Sequence, residues 1–240
     1  MRTLYILVAV IAVVAMVSSA VMADPYLSVW DIETPESNVT NSWIGSTGMI
    51  LTPTARTCAP QGVIGSFHWV DTDPDSSDVW SINVGITSNI EIGAARFNDA
   101  FGGTQSETIG NVKVNLDLPR WTDNPEAPEL AVGVWDIGNN LNRAYYVVLT
   151  KEIELKEEGT ISNFRVNLGY ADNDTDTNGA LDGIFGGIEL CPFEHALGQV
   201  EYDGENINAT LRYHPSDWLS LELASIDGDL GVGVNVHTGF

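Results

Sequence analysis

Alternation with a period of two, repeated to the end of the chain, most limits what this sequence can fold into. From about residue 62 onward, segments of roughly ten residues carry apolar side chains at every second position, with turn residues between them. The last segment is the clearest. Leu230, Val232, Val234, Val236, Thr238 and Phe240 share one face, and Gly231, Gly233, Asn235, His237 and Gly239 share the other. About twelve such segments are predicted, near 62–71, 78–87, 90–98, 107–118, 129–138, 143–154, 161–171, 181–191, 195–203, 206–214, 218–227 and 230–240. The alternation is ambiguous near 129–138 and 143–154. Beyond the N-terminal stretch no apolar run approaches the roughly 20 residues that a spanning helix needs.

Alternating strands build soluble sandwiches as well as membrane barrels, so the two faces decide. One face is oily along nearly every segment. The other carries Glu91, Lys113, Asp117, Arg165, Glu189, Glu201, Arg212 and Glu222, which a dry core would not bury together without a heavy desolvation cost. A watered lumen tolerates them. Trp69, Trp80, Tyr170, Tyr202, Tyr213 and Trp218 fall near segment ends, where amphipathic rings meet a membrane interface. The expected fold is all-β: a single antiparallel, up-and-down transmembrane barrel of about twelve strands. Twelve strands are intermediate between a self-filled barrel and an open channel.

The N-terminus reads as a secretory signal over residues 1–23: Arg2, then an apolar stretch, then small residues ahead of Asp24. Residues 24–43 read as a polar linker and 44–240 as the barrel domain. Export and a barrel together predict the bacterial outer membrane, with its lipid and the barrel-assembly machinery as partners. Phe240, closing an alternating strand, is the expected assembly signal. An even strand count puts both barrel ends on the periplasmic side, with the longer, polar links outside. The link Pro119–Pro128 breaks that trend. An oxidising compartment permits a disulfide, and whether Cys58 and Cys191 meet is left open.

Asp and Glu total 33 against 10 Lys and Arg, a net charge of -23 that repels nucleic acid. Asp174, Asp176, Asn178 and Asp182 have the spacing that opens a calcium loop, but its twelfth position holds Phe185 instead of the bidentate Glu. A solvated acidic loop is the preferred reading, and no cofactor is expected. Ser66 and His68 share a strand face without a Gly-x-Ser-x-Gly elbow, so a lipid hydrolase ranks below a non-enzymatic role.

Residues Gly48-Met49-Ile50-Leu51-Thr52-Pro53-Thr54-Ala55-Arg56 resemble the Gly-Leu-Ile-x-x-Pro-(Thr/Ser)-Ala-Arg opening of the YjbH-type barrels linked to exopolysaccharide and group 4 capsule production. A second stretch is similar, from Glu189-Leu190-Cys191-Pro192 through Val200-Glu201-Tyr202-Asp203-Gly204 to Leu211-Arg212-Tyr213. The resemblance implies a role in polysaccharide secretion, with secretion components as partners, and brings no catalytic residues. The first reading is therefore polysaccharide secretion or a narrow pore, and a non-conducting structural or adhesive surface barrel with acidic extracellular loops is the alternative. The Pro53–Arg56 stretch is expected to enter or underlie the lumen, with Arg56 facing carboxylates such as Glu201 or Glu222. A plain first strand or turn is the other reading.

Overall fold

Strands form where the alternation places them. The computed structural model describes residues 39–72, 76–98, 106–154, 163–174, 181–193 and 195–238. The expected signal 1–23, most of the expected linker, Asp176, Asn178 and Phe240 lie outside these residues. Among the described residues the strands are β1 Val63–Asp71, β2 Ser76–Thr87, β3 Ile90–Asn98, β4 Glu107–Asn115, β5 Glu129–Trp135, β6 Ala144–Glu154, β7 Asn163–Asn173, β8 Gly183–Phe193, β9 Ala196–Tyr202, β10 Ile207–Ser216, β11 Leu219–Ile226 and β12 Asp229–Thr238. A short helix, α1, spans Leu118–Thr122.

Each strand pairs antiparallel with its sequence neighbours. β12 returns to β1 in continuous register, from Val63↔Thr238 to Asp71↔Leu230, and closes the barrel. Closure leaves no strand edge unpaired, the condition for strands to cross lipid. The even count puts the start of β1 and the finish of β12 at one rim, here called the terminal end. The opposite rim is the loop end. It carries two tight turns, around Asp203–Asn206 and Asp227–Gly228, so the expected long-loop asymmetry is only partial.

The oily face points outward. Leu168, Ile184, Ile207, Leu223 and Val232 are exposed on the barrel wall. Exposed Trp80, Tyr145, Tyr170 and Tyr202 lie toward the loop end, and Trp121, Tyr213 and Trp218 toward the terminal end. Two aromatic rows flanking an apolar belt match a wall in contact with lipid. Val234 lies mid-strand on this belt, beside Phe67 and Leu221. Val234→Lys is expected to cost about 2–4 kcal/mol of folding free energy in lipid vesicles, read as a lowered urea midpoint. Val234→Leu should leave the midpoint unchanged.

Two expectations need correction. β4 stops at Asn115, because the Asn115 side chain accepts the Asp117 N–H at 2.6 Å and Asp117 turns to φ 45°. Asp117 therefore starts α1 and does not face the lumen. The 24–43 linker is cut short: from Val39 to Ile50 the chain is buried inside the barrel. Residues 44–58 lie inside the barrel and form none of its strands. The ambiguity over β5 and β6 has a physical cause. Their inward residues Trp135, Tyr146 and Val148 are apolar, because they join a core with Ile44 and Ala55 of the enclosed segment.

Candidate functional site

Residues 39–60 form a finger that fills the lumen. Its own backbone ties it into short antiparallel turns: Gly48 N–H donates to Thr40 O at 2.9 Å, Trp43 to Ile50 O at 2.7 Å and Met49 to Thr52 O at 2.9 Å. Gly45 makes the tip possible. It sits at φ 86°, and a Cβ there would overlap Ala95 of β3. Val39 and Cys58 pack together on Ile64 near the start of β1. Both limbs of the finger therefore meet the terminal end.

Wall side chains satisfy the finger's polar groups. At the ascending limb, Asn41 donates to Ile64 O at 3.1 Å and to Ser66 Oγ at 2.8 Å, and accepts from Asn83 at 2.7 Å. Trp43 stacks on His68 with ring centroids 4.7 Å apart, and its Nε1 donates to Glu222 at 3.1 Å. At the tip, Trp135 Nε1 donates to Ile44 O at 2.8 Å. Nearer the terminal end, Glu91 accepts from Thr47 N at 3.1 Å, Thr47 Oγ1 at 2.6 Å and Cys58 N at 2.8 Å. Lys113 Nζ donates to Thr47 O at 2.7 Å. Glu201 accepts from Ile50 N at 3.1 Å, Leu51 N at 2.6 Å and Thr52 Oγ1 at 2.7 Å. Arg212 donates to Met49 O at 3.2 Å. On the descending limb, Ala55 N donates to Thr150 at 2.8 Å.

Of the eight charged residues expected to face the lumen, seven do so: Glu91, Lys113, Arg165, Glu189, Glu201, Arg212 and Glu222 are buried there. Three cation–carboxylate pairs sit directly across neighbouring strands: Glu91↔Lys113, Arg165↔Glu189 and Arg212↔Glu222. Their closest separations are 3.8, 3.1 and 2.6 Å. These charges are neutralised by one another and by the finger, which fills the space that the strands enclose. Glu201 differs from the other three carboxylates. It faces Asn208 and Gly187 across its strand pairs, and among the described residues it forms no ion pair.

Arg56 reaches carboxylates, though not the expected ones. Glu201 meets the tip, whereas Arg56 lies on the limb returning to the rim. There it donates to Glu129 at 3.2 Å and Glu152 at 3.0 Å. These residues line a cleft of about 470 Å³ with Pro119, Pro125, Glu126 and Lys151. Gly48, Pro53, Thr54 and Ala55 belong to the finger, and a Cβ on Gly48 would overlap Thr52 O. Asn41, Trp43, Thr47, Trp135, Glu129 and Glu152 went unrecognised in the sequence. Glu201 was the available signal: an inward carboxylate with no basic neighbour across either strand pair calls for a donor from elsewhere in the chain.

The remaining candidates separate. Ser66 Oγ lies 2.5 Å from Ser81 Oγ, while neither ring nitrogen of His68 makes a hydrogen bond among the described residues. Serine and histidine therefore do not form a dyad. Cys58 is a free thiol, so it is not bridged to Cys191; burial and the Glu91 charge push its pKa up to about 11. Asp174 lies 3.7 Å from Arg143, and Asp182 is solvent-exposed.

Closed strands, an oily outer wall and a lumen filled by a finger from its own N-terminal side define a stoppered, membrane-spanning β-barrel. The chain belongs to the YjbH family, described as exopolysaccharide biosynthesis protein YbjH, which it matches over residues 40–240. That span takes in the finger as well as the strands. The two stretches that resemble the family meet in space, Ile50–Thr52 on Glu201 and Met49 on Arg212. No curated protein sequence matches the chain. Among solved structures it is similar to KdgM porin, at 12% identity and TM-score 0.47, covering 75% of this chain and 99% of that one. It is also similar to Pseudomonas putida OprB in a low-pH structure, at 10% identity and TM-score 0.31, covering 74% and 92%. A mutant Rh. blastica porin is similar at 12% identity and TM-score 0.24, covering 75% and 98%.

Proposed function

We propose that this chain is a bacterial outer-membrane barrel serving exopolysaccharide secretion, with a lumen closed at rest by residues 39–60. The oily belt, the aromatic rows and the export signal read at the N-terminus support the location. One observation carries the gate: both limbs of the finger meet the same rim, so it can leave without threading through the barrel. The family's link to exopolysaccharide supplies the process. Lipid, the assembly machinery and secretion components are the partners this role requires. The protein's part is passage and gating, with no catalytic step.

Deleting the gene in its host is expected to lower secreted polysaccharide, and the wild-type gene should restore it. Unchanged polysaccharide would sink this reading. It would favour the second one, a non-conducting structural barrel, which the density of hydrogen bonds on the finger also suits.

A further inference from the structure

Taking the finger as a gate, we infer that the opened lumen selects for neutral or cationic solutes, amino sugars included, and excludes polyanionic sugars, with Glu201 as its main selectivity residue. The sequence holds 10 Lys and Arg. Among the described strand residues, only Lys113, Arg165 and Arg212 of these face inward, and each stands opposite a carboxylate. Arg96 and Lys151 fall on the outward register of β3 and β6. Arg56 belongs to the finger and leaves with it.

The acidic side is larger. Buried in the lumen are Glu91, Glu189, Glu201 and Glu222. Toward the rims, every further charged strand residue on the inward register is acidic. Glu107 shares that register with Ile109, and Asp229 with Gly231, at the loop end. Glu129 and Glu152 lie at the terminal end, and withdrawal of Arg56 strips each of its pairing with that cation. Among the described side chains, eight wall carboxylates then face three wall cations. Rings of one charge sign in a narrow path favour the opposite sign.

Glu201 changes most when the finger leaves. Glu91, Glu189 and Glu222 keep their cross-strand cations. Glu201 loses Ile50, Leu51 and Thr52 and, among the described residues, retains only Asn208 as a donor, 3.4 Å away. It becomes an uncompensated carboxylate facing the passage.

The test is planar-bilayer recording of the full chain at pH 8, where solvated lumen histidines are neutral, across a tenfold KCl gradient. Two substitutions open the lumen independently. Gly231→Leu places atoms where the Trp43 ring packs, and Trp43→Ala removes that ring. Both should give currents reversing on the potassium side, with potassium preferred about threefold or more. Adding Glu201→Lys to either should bring the ratio near one or below it, while Glu201→Asp should keep the preference. Chloride-selective or unselective currents would overturn this inference and leave the gate standing. No current in either opening variant would overturn the gate and this inference with it.

Discussion

Replacing Arg212 by leucine is expected to destabilise the barrel as a whole by about 3–5 kcal/mol, the usual cost of breaking a buried ion pair from one side. Arg212 and Glu222 face each other across β10 and β11, and Arg212 Nε donates to Glu222 at 2.6 Å. Neither side chain is exposed to solvent. Removing the guanidinium strands a carboxylate that still accepts from Trp43 and Asn235, and removes the donor to Met49 O. The pair binds two wall strands to each other and to the finger, so the loss is global. Heat-modifiable gel mobility should disappear at a clearly lower temperature than in the wild type. Adding Glu222→Leu to Arg212→Leu should recover part of the loss, because an apolar pair costs less than a lone buried charge. Equal stability of Arg212→Leu and wild type would mean that water, not Arg212, compensates Glu222.

The wall was legible in the sequence because its two environments differ. Lipid outside and polar groups inside impose opposite chemistries on alternate residues, and the strand bounds follow from that contrast. β12 shows it in full, with Val232, Val234 and Val236 outward and Gly231, Gly233 and Asn235 inward. Where the inside is apolar, as at Trp135 and Tyr146, the contrast fades and so did the reading. The finger has one environment on all sides. From Thr40 to Ile50 every residue is buried, so no alternation marks it and its polarity resembles a linker's. Its turns are set by contacts with distant strands, such as Glu91 and Glu201, which local pattern does not encode. The same reason hid the partners of Arg56. Its distance along the chain from the tip gave no sign that the finger doubles back to the rim.

Glu201→Leu is expected to free the Ile50–Thr52 turn of the finger while leaving the barrel closed, an effect opposite in reach to that of Arg212→Leu. The carboxylate accepts three donors of the tip, and the substitution leaves Ile50 N–H, Leu51 N–H and the Thr52 hydroxyl facing an apolar side chain. A buried donor left without its acceptor costs about 1–3 kcal/mol. The loss is confined to the Ile50–Thr52 turn, because the wall contacts of Asn41, Trp43, Thr47 and Arg56 are untouched. β9 keeps its ladders to β8 and β10, because Glu201 contributes to those through its backbone, and leucine leaves no charge behind in the lumen. Amide exchange at residues 50–52 should therefore quicken by about 100-fold or more, following the local opening free energy. Heat-modifiable mobility should stay near the wild-type value. Glu201→Gln keeps one carbonyl acceptor and should fall between the two. If tip amides stayed protected in Glu201→Leu, the finger would be held by its aromatic and aliphatic packing around Trp43 and Ile44, and wall carboxylates would be incidental to the gate.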